Sequence, residues 1–140
     1  LEFRINLIDM YNVEESPLRI KSCDFAIRVS NMVDYLRANS TKNVGTILSQ
    51  ILRSGTSIMA NISESQYAQS RADFISKLHI ALKEANETNT WLLLLRKKDC
   101  LTIKQHESMS HDCNELIAML VSSIKTSKKN EVSNSMAETD

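Results

Sequence analysis

The chain has 140 residues, with 17 Lys and Arg against 17 Asp and Glu, two glycines, one proline and three cysteines. That length suits one domain of about 100–200 residues. So little glycine and proline cannot supply the turns of a β-sandwich or barrel. Zero formal charge removes the simple argument for a polyanion binder, which rests on a basic excess.

Residues 1–15 read as an extended or frayed arm. Phe3, Ile5 and Leu7 alternate as in a strand, and then Ile8, Met10 and Tyr11 break the alternation. Ser16-Pro17 is a helix start, a capping hydroxyl followed by a proline whose missing N–H costs nothing at the first helical position. Leu18, Phe25, Val29, Met32 and Leu36, with Ala26 and Val33 alongside, then mark an amphipathic helix of about 21 residues ending near Arg37. Ala38 to Asn43 is polar and aperiodic, hence a loop. The second stripe is Val44, Leu48, Ile51, Gly55, Ile58 and Ile62, in alternating steps of four and three. Glycine inside a helix costs about 1 kcal/mol against alanine, so Gly55 points to the close approach of a neighbouring helix.

Ser70-x-x-Asp73 resembles a capping box and opens the third helix. Its stripe is Phe74, Leu78, Ala81, Ala85, Thr88, Leu92 and Leu95, which makes a rod of about 28 residues, roughly 42 Å long. The helix stops at Arg96-Lys97-Lys98, cations suited to the negative end of its dipole. Thr102-x-x-Gln105 caps a fourth helix with the stripe Ile103, His106, Met109, Cys113, Ile117, Leu120 and Ile124. Ser, Lys, Asn and Glu dominate after Thr126. The chain therefore divides into an arm at 1–15, an antiparallel up-down-up-down four-helix bundle at 16–125, and a polar tail at 126–140 expected to be disordered.

Cys23, Cys100 and Cys113 are odd in number and show no C-x-x-C spacing, a usage expected of reduced thiols in a cytoplasm. The longest apolar run is the six residues Leu116 to Val121, far short of the roughly 20 of a membrane helix. No signal peptide or membrane association is expected.

None of the usual catalytic or metal patterns is present. No Glu precedes His79, His106 or His111 by three residues, as a di-iron bundle requires. His106, His111 and Cys113 lack the spacing of a helical zinc pair, and His106 reads as a satisfied histidine at the bundle end, with Cys113 a buried thiol. No nucleophile motif and no Gly-rich phosphate loop occurs. The expectation is a non-enzyme without cofactor or metal. The third helix carries more apolar residues than one seam needs. Trp91 sits at a flank and Ile80, Leu93 and Leu94 point outward, so these four are the candidate surface of a cyclic homo-oligomer. Ser57, Asn61, Glu64 and Glu84 are the candidate structural polar network around the turn between the second and third helices. Arg53, Arg71, Lys77, Arg96, Lys97 and Lys98 are the candidate nucleic-acid contacts, provided they collect on one face.

The stretch Leu52-Arg53-Ser54-Gly55-Thr56-Ser57-Ile58-Met59-Ala60-Asn61-Ile62-Ser63-Glu64 resembles the signature of the four helix bundle protein family, first noted as proteins encoded within 23S rRNA intervening sequences. The segment from Asp73 to Thr88 resembles its third helix, and the similarity runs from about Ser16 to Lys128. Members are similar to the accessory variability determinant protein of diversity-generating retroelements. The resemblance implies a barrel-like homopentamer of four-helix protomers. In the retroelement branch it also implies binding to nucleic acid and to a reverse transcriptase. A protein-interaction scaffold that binds no nucleic acid is the alternative expectation.

Overall fold

A computed structural model describes residues 16–139, which form four helices and no strand. They are α1 (Pro17–Asn39), α2 (Gly45–Ser65), α3 (Arg71–Lys97) and α4 (Ile103–Thr139). The arm expected at residues 1–15 lies outside the described residues. Each helix packs on its neighbour in sequence and α4 returns to α1, so four seams close around one core. The α1–α4 seam is the sparsest of them.

Local chemistry explains each boundary. Pro17 occupies the first turn of α1, and the Ser16 hydroxyl makes no capping bond. Ser70 caps α3 by accepting the Asp73 N–H at 3.0 Å. The Asp73 carboxylate in turn accepts the Gln69 N–H at 3.2 Å. Thr102 and Gln105 form a reciprocal capping box, with each side chain accepting the other's backbone N–H at 3.1 and 2.9 Å. The end of α3 is a Schellman turn in which the Cys100 N–H donates to the Leu95 carbonyl and the Asp99 N–H to that of Arg96. This turn needs a left-handed residue, and Asp99 supplies it with φ 58° in place of the usual glycine.

The α2 stripe is buried from Leu48 through Ile62, as its spacing requires. Gly55 is fully enclosed. A Cβ added there would stand 2.9 Å from Cγ1 of Val29, so α1 and α2 meet at a contact that admits only a hydrogen. On α3, Leu78, Ala81, Ala85, Thr88, Leu92 and Leu95 are all buried. The α4 stripe is displaced from its expected line. Ile103, at the first position of the helix, is 58% exposed, while Leu116 is buried and Ile117 only half-buried. A residue in the first turn has no helix beyond it to cover its outer side.

The expected disordered tail is a correction. α4 continues without a break to Thr139. Extending a formed helix adds one hydrogen bond per residue fixed and needs no new nucleus, and nothing from Thr126 to Thr139 is glycine or proline. These turns are almost wholly exposed beyond Ser127, with Val132 at 54% and Met136 at 65%.

Candidate functional site

Two polar regions concern function: the α2–α3 face and the end of the bundle where α3 gives way to α4. On the α2–α3 face Arg53 lies between two carboxylates one turn apart on α3. It donates to Glu84 at 3.1 Å and to Glu87. Glu87 also accepts the Trp91 indole N–H at 3.2 Å. The Arg53 hydrogen bond, helped by that indole and opposed by burial, holds the Glu87 carboxyl below the usual carboxylate range. The same pairing raises the Arg53 pKa further above its ordinary value. Beneath them the Thr88 hydroxyl donates to the Glu84 carbonyl at 2.8 Å and lies 2.9 Å from the buried Ser54 hydroxyl. Both hydroxyls are thereby satisfied inside the core.

Lys77 pairs with Glu64 at 2.9 Å near the α2–α3 turn, and this pairing raises the Lys77 pKa. Asn61 donates to the Ser57 carbonyl at 2.8 Å, one turn back on its own helix. The four residues expected to form one polar network thus occupy three separate pairings: Ser57 with Asn61, Glu64 with Lys77, and Glu84 with Arg53.

The candidate nucleic-acid residues divide as well. Arg53 and Lys77 are matched by carboxylates, which leaves them little field of their own. Arg71 begins α3, while Arg96, Lys97 and Lys98 stand at its far end, about 38 Å away along the axis at 1.5 Å per residue. The structure joins to that far end three cations that sequence reasoning missed. Lys42 and Asp99 line one recess, and Lys104 shares another with Tyr35 and Leu36. Arg37, whose guanidinium donates to the Ser49 hydroxyl at 3.2 Å, stands next to Leu36. Arg37, Lys42, Arg96, Lys97, Lys98 and Lys104 therefore share one end, and the stretches that hold them, 34–42 and 96–107, contain only Asp34, Asp99 and Glu107 as acids. The signal was available in principle, since short links in alternating helices bring the α1–α2 and α3–α4 connections to one end.

Of the four apolar residues of α3 taken as the candidate oligomer surface, Ile80 and Leu93 are exposed at 39% and 45%. Trp91, expected at a flank, is half-buried and packed on the core, while Leu94, expected to point outward, is half-buried too. The other large exposed apolar side chains include Ile20, Ile27 and Tyr35 on α1.

Cys113 is fully buried, and its thiol donates to the Ala85 carbonyl at 3.2 Å. Burial pushes this thiol up to about 12, against a smaller opposing effect of the Asn89 backbone. It is inert as a nucleophile at neutral pH. His106 departs from expectation, because its enclosed Nδ1 has no hydrogen-bond partner among the described residues. No group of three or more His, Cys, Asp or Glu side chains among the described residues is placed to hold a metal ion. No described helix is long and apolar enough to cross a membrane.

Fold and site together define an all-helical bundle whose polar chemistry is ion pairing and a cationic end. Residues 14–122 match the 23S rRNA-intervening sequence protein family, and the chain belongs to that family. Among solved structures it is similar to a protein with unknown function from the S23 ribosomal protein family of Bacteroides thetaiotaomicron. The two are 50% identical, with a TM-score of 0.74, over 77% of this chain and 98% of that one. No curated protein matches the chain.

Proposed function

We infer that this chain is a non-enzymatic, self-associating accessory protein of the cytoplasm that binds RNA or a ribonucleoprotein, a reverse-transcriptase complex among them, through the cationic end of its bundle. The observation that carries this reading is the gathering of six cations at one end from three separate stretches of a chain with no net charge. Backbone phosphates are the ligand such a surface suits, and their binding weakens linearly in log affinity against log salt. Labelled RNA should bind with that salt slope. Lys97→Glu together with Lys98→Glu should lower affinity at least tenfold and flatten the slope. A salt-independent affinity, or one indifferent to these reversals, overturns the reading.

Support for the up-down-up-down order comes from the partners across each seam. Lys21 and Arg28 on α1 meet Glu115 and Asp112 on α4, so one number rises as the other falls. Arg53 and Glu64 on α2 meet Glu84 and Lys77 on α3 in the same opposed sense. Self-association, in a ring of five by resemblance, would use Ile80 and Leu93 with Trp91 and Leu94 beside them. A second reading, a protein-interaction scaffold without nucleic acid, is favoured by the exposed Ile20, Ile27 and Tyr35 on α1. Retention of a protein partner without RNA selects it over the first.

A further inference from the structure

The α1–α4 seam, the sparsest of the four, opens beside the cationic end into a recess of about 510 Å³. Met32 and Leu36 of α1, Leu101 just before α4 and Met109 of α4 give it apolar walls. That volume lies within the roughly 300–1,000 Å³ of sites that enclose small organic groups. Tyr35, 60% exposed, lines this recess and also a second, polar one of about 220 Å³. Lys104 stands in the wall of the first and Lys42 in that of the second. An exposed aromatic side chain thus sits where an apolar hollow meets a polar one, with a lysine in each.

We propose that the apolar recess takes an unpaired nucleobase laid against Tyr35, so that the cationic end binds single-stranded RNA in preference to duplex, an inference that rests on reading that end as the RNA-binding surface. Single strands are held by aromatic side chains under the bases and positive charge along the backbone. Both are present here within one short stretch of surface. Lys42 and Lys104 have no ion partner among the described residues, so their charge is open to phosphate. A duplex keeps its bases stacked inside and presents mainly phosphate and sugar, which would leave the apolar walls in water.

The remaining lining groups agree with a base as the occupant. Arg28 is committed to Asp112 and to the Ser108 hydroxyl at 3.0 Å, so it fixes one wall and leaves phosphate to the lysines. The Asn31 amide, in the same recess, makes no hydrogen bond among the described residues. It can both donate to and accept from the edge of a base. Asp99, the one acid among the residues lining the two recesses, belongs to the polar one. An apolar protein side chain would fill the hollow equally well but would leave both lysines unmatched, so charge complementarity selects the polyanion.

Binding of the full chain to three probes of equal length tests this: oligouridylate, the same strand paired with oligoadenylate, and an abasic ribose-phosphate strand. Oligouridylate should bind at least fivefold more tightly than either of the others. Tyr35→Ala should abolish its advantage over the abasic strand while leaving affinity for the abasic strand and the salt slope unchanged. Tyr35→Phe, which keeps the ring, should retain the advantage. Equal affinity for oligouridylate and the abasic strand, duplex bound as tightly as the single strand, an advantage that survives Tyr35→Ala, or a loss shared equally by the abasic strand would each overturn the base site and leave the cationic end standing. Failure of every probe to bind overturns the cationic end itself, and the base site with it.

Discussion

Glu87 shows how one side chain carries two obligations. It accepts from Arg53 across the α2–α3 seam and from Trp91 one turn along its own helix. Its folded pKa lies below the unfolded carboxylate value of about 4.3. The stabilisation is therefore complete above that value and is lost as pH falls through the lower folded one. Glu87→Gln should lower the melting temperature at pH 7, and the deficit should shrink steadily below about pH 4. Melting curves across that range check it, and a deficit independent of pH refutes the ion-pair account. Cys113 has the opposite sign. Its folded pKa is raised, so its contribution is complete below about 8.5 and fades at higher pH. The sequence located Arg53, Glu84 and Trp91 but not their partnership, because a pairing 31 residues apart depends on helix register.

At the scale of the element, two positions govern how helices meet and end. The Gly55 contact with Val29 leaves no room for a methyl group, and Val29 is β-branched and stiff within α1. Gly55→Ala should cost about 1–2 kcal/mol in urea unfolding, because overpacking exceeds the gain in helix propensity. Adding Val29→Ala should recover part of that loss in a double-mutant cycle, and strict additivity would show that the clash is not the cause. Asp99 holds a left-handed conformation that glycine adopts freely. Asp99→Gly should raise stability by about 0.5–1 kcal/mol, read by the same unfolding curves. The Gly55 contact was readable in the sequence because a glycine interrupted a regular stripe. The length of α4 was not, because composition describes how a segment behaves alone. Residues 126–139 are instead attached to a helix already formed.

At the scale of the molecule, the core stripes were open to reading because period and burial are one physical fact in an amphipathic helix. The outer surface was less so. Helical phase set Leu93 and Leu94 together on the outside, whereas Leu93 is exposed and Leu94 turns partly inward. If Ile80 and Leu93 carry self-association, Ile80→Ser with Leu93→Ser should reduce the solution mass by light scattering and leave helicity unchanged. An unchanged mass removes this face from the interface. The cationic end was legible only by combining residues with connectivity, since its members come from residues 37–42 and 96–104 and become neighbours on folding.

That end has a consequence beyond affinity. Six of the chain's 17 cations stand there in a chain with no net charge, so the patch has a local field that the molecule as a whole lacks. At long range such a chain feels no net pull towards a polyanion, and the field of the patch itself fades within a Debye length of about 8 Å at physiological salt. Encounters would thus be sorted by angle more than by frequency.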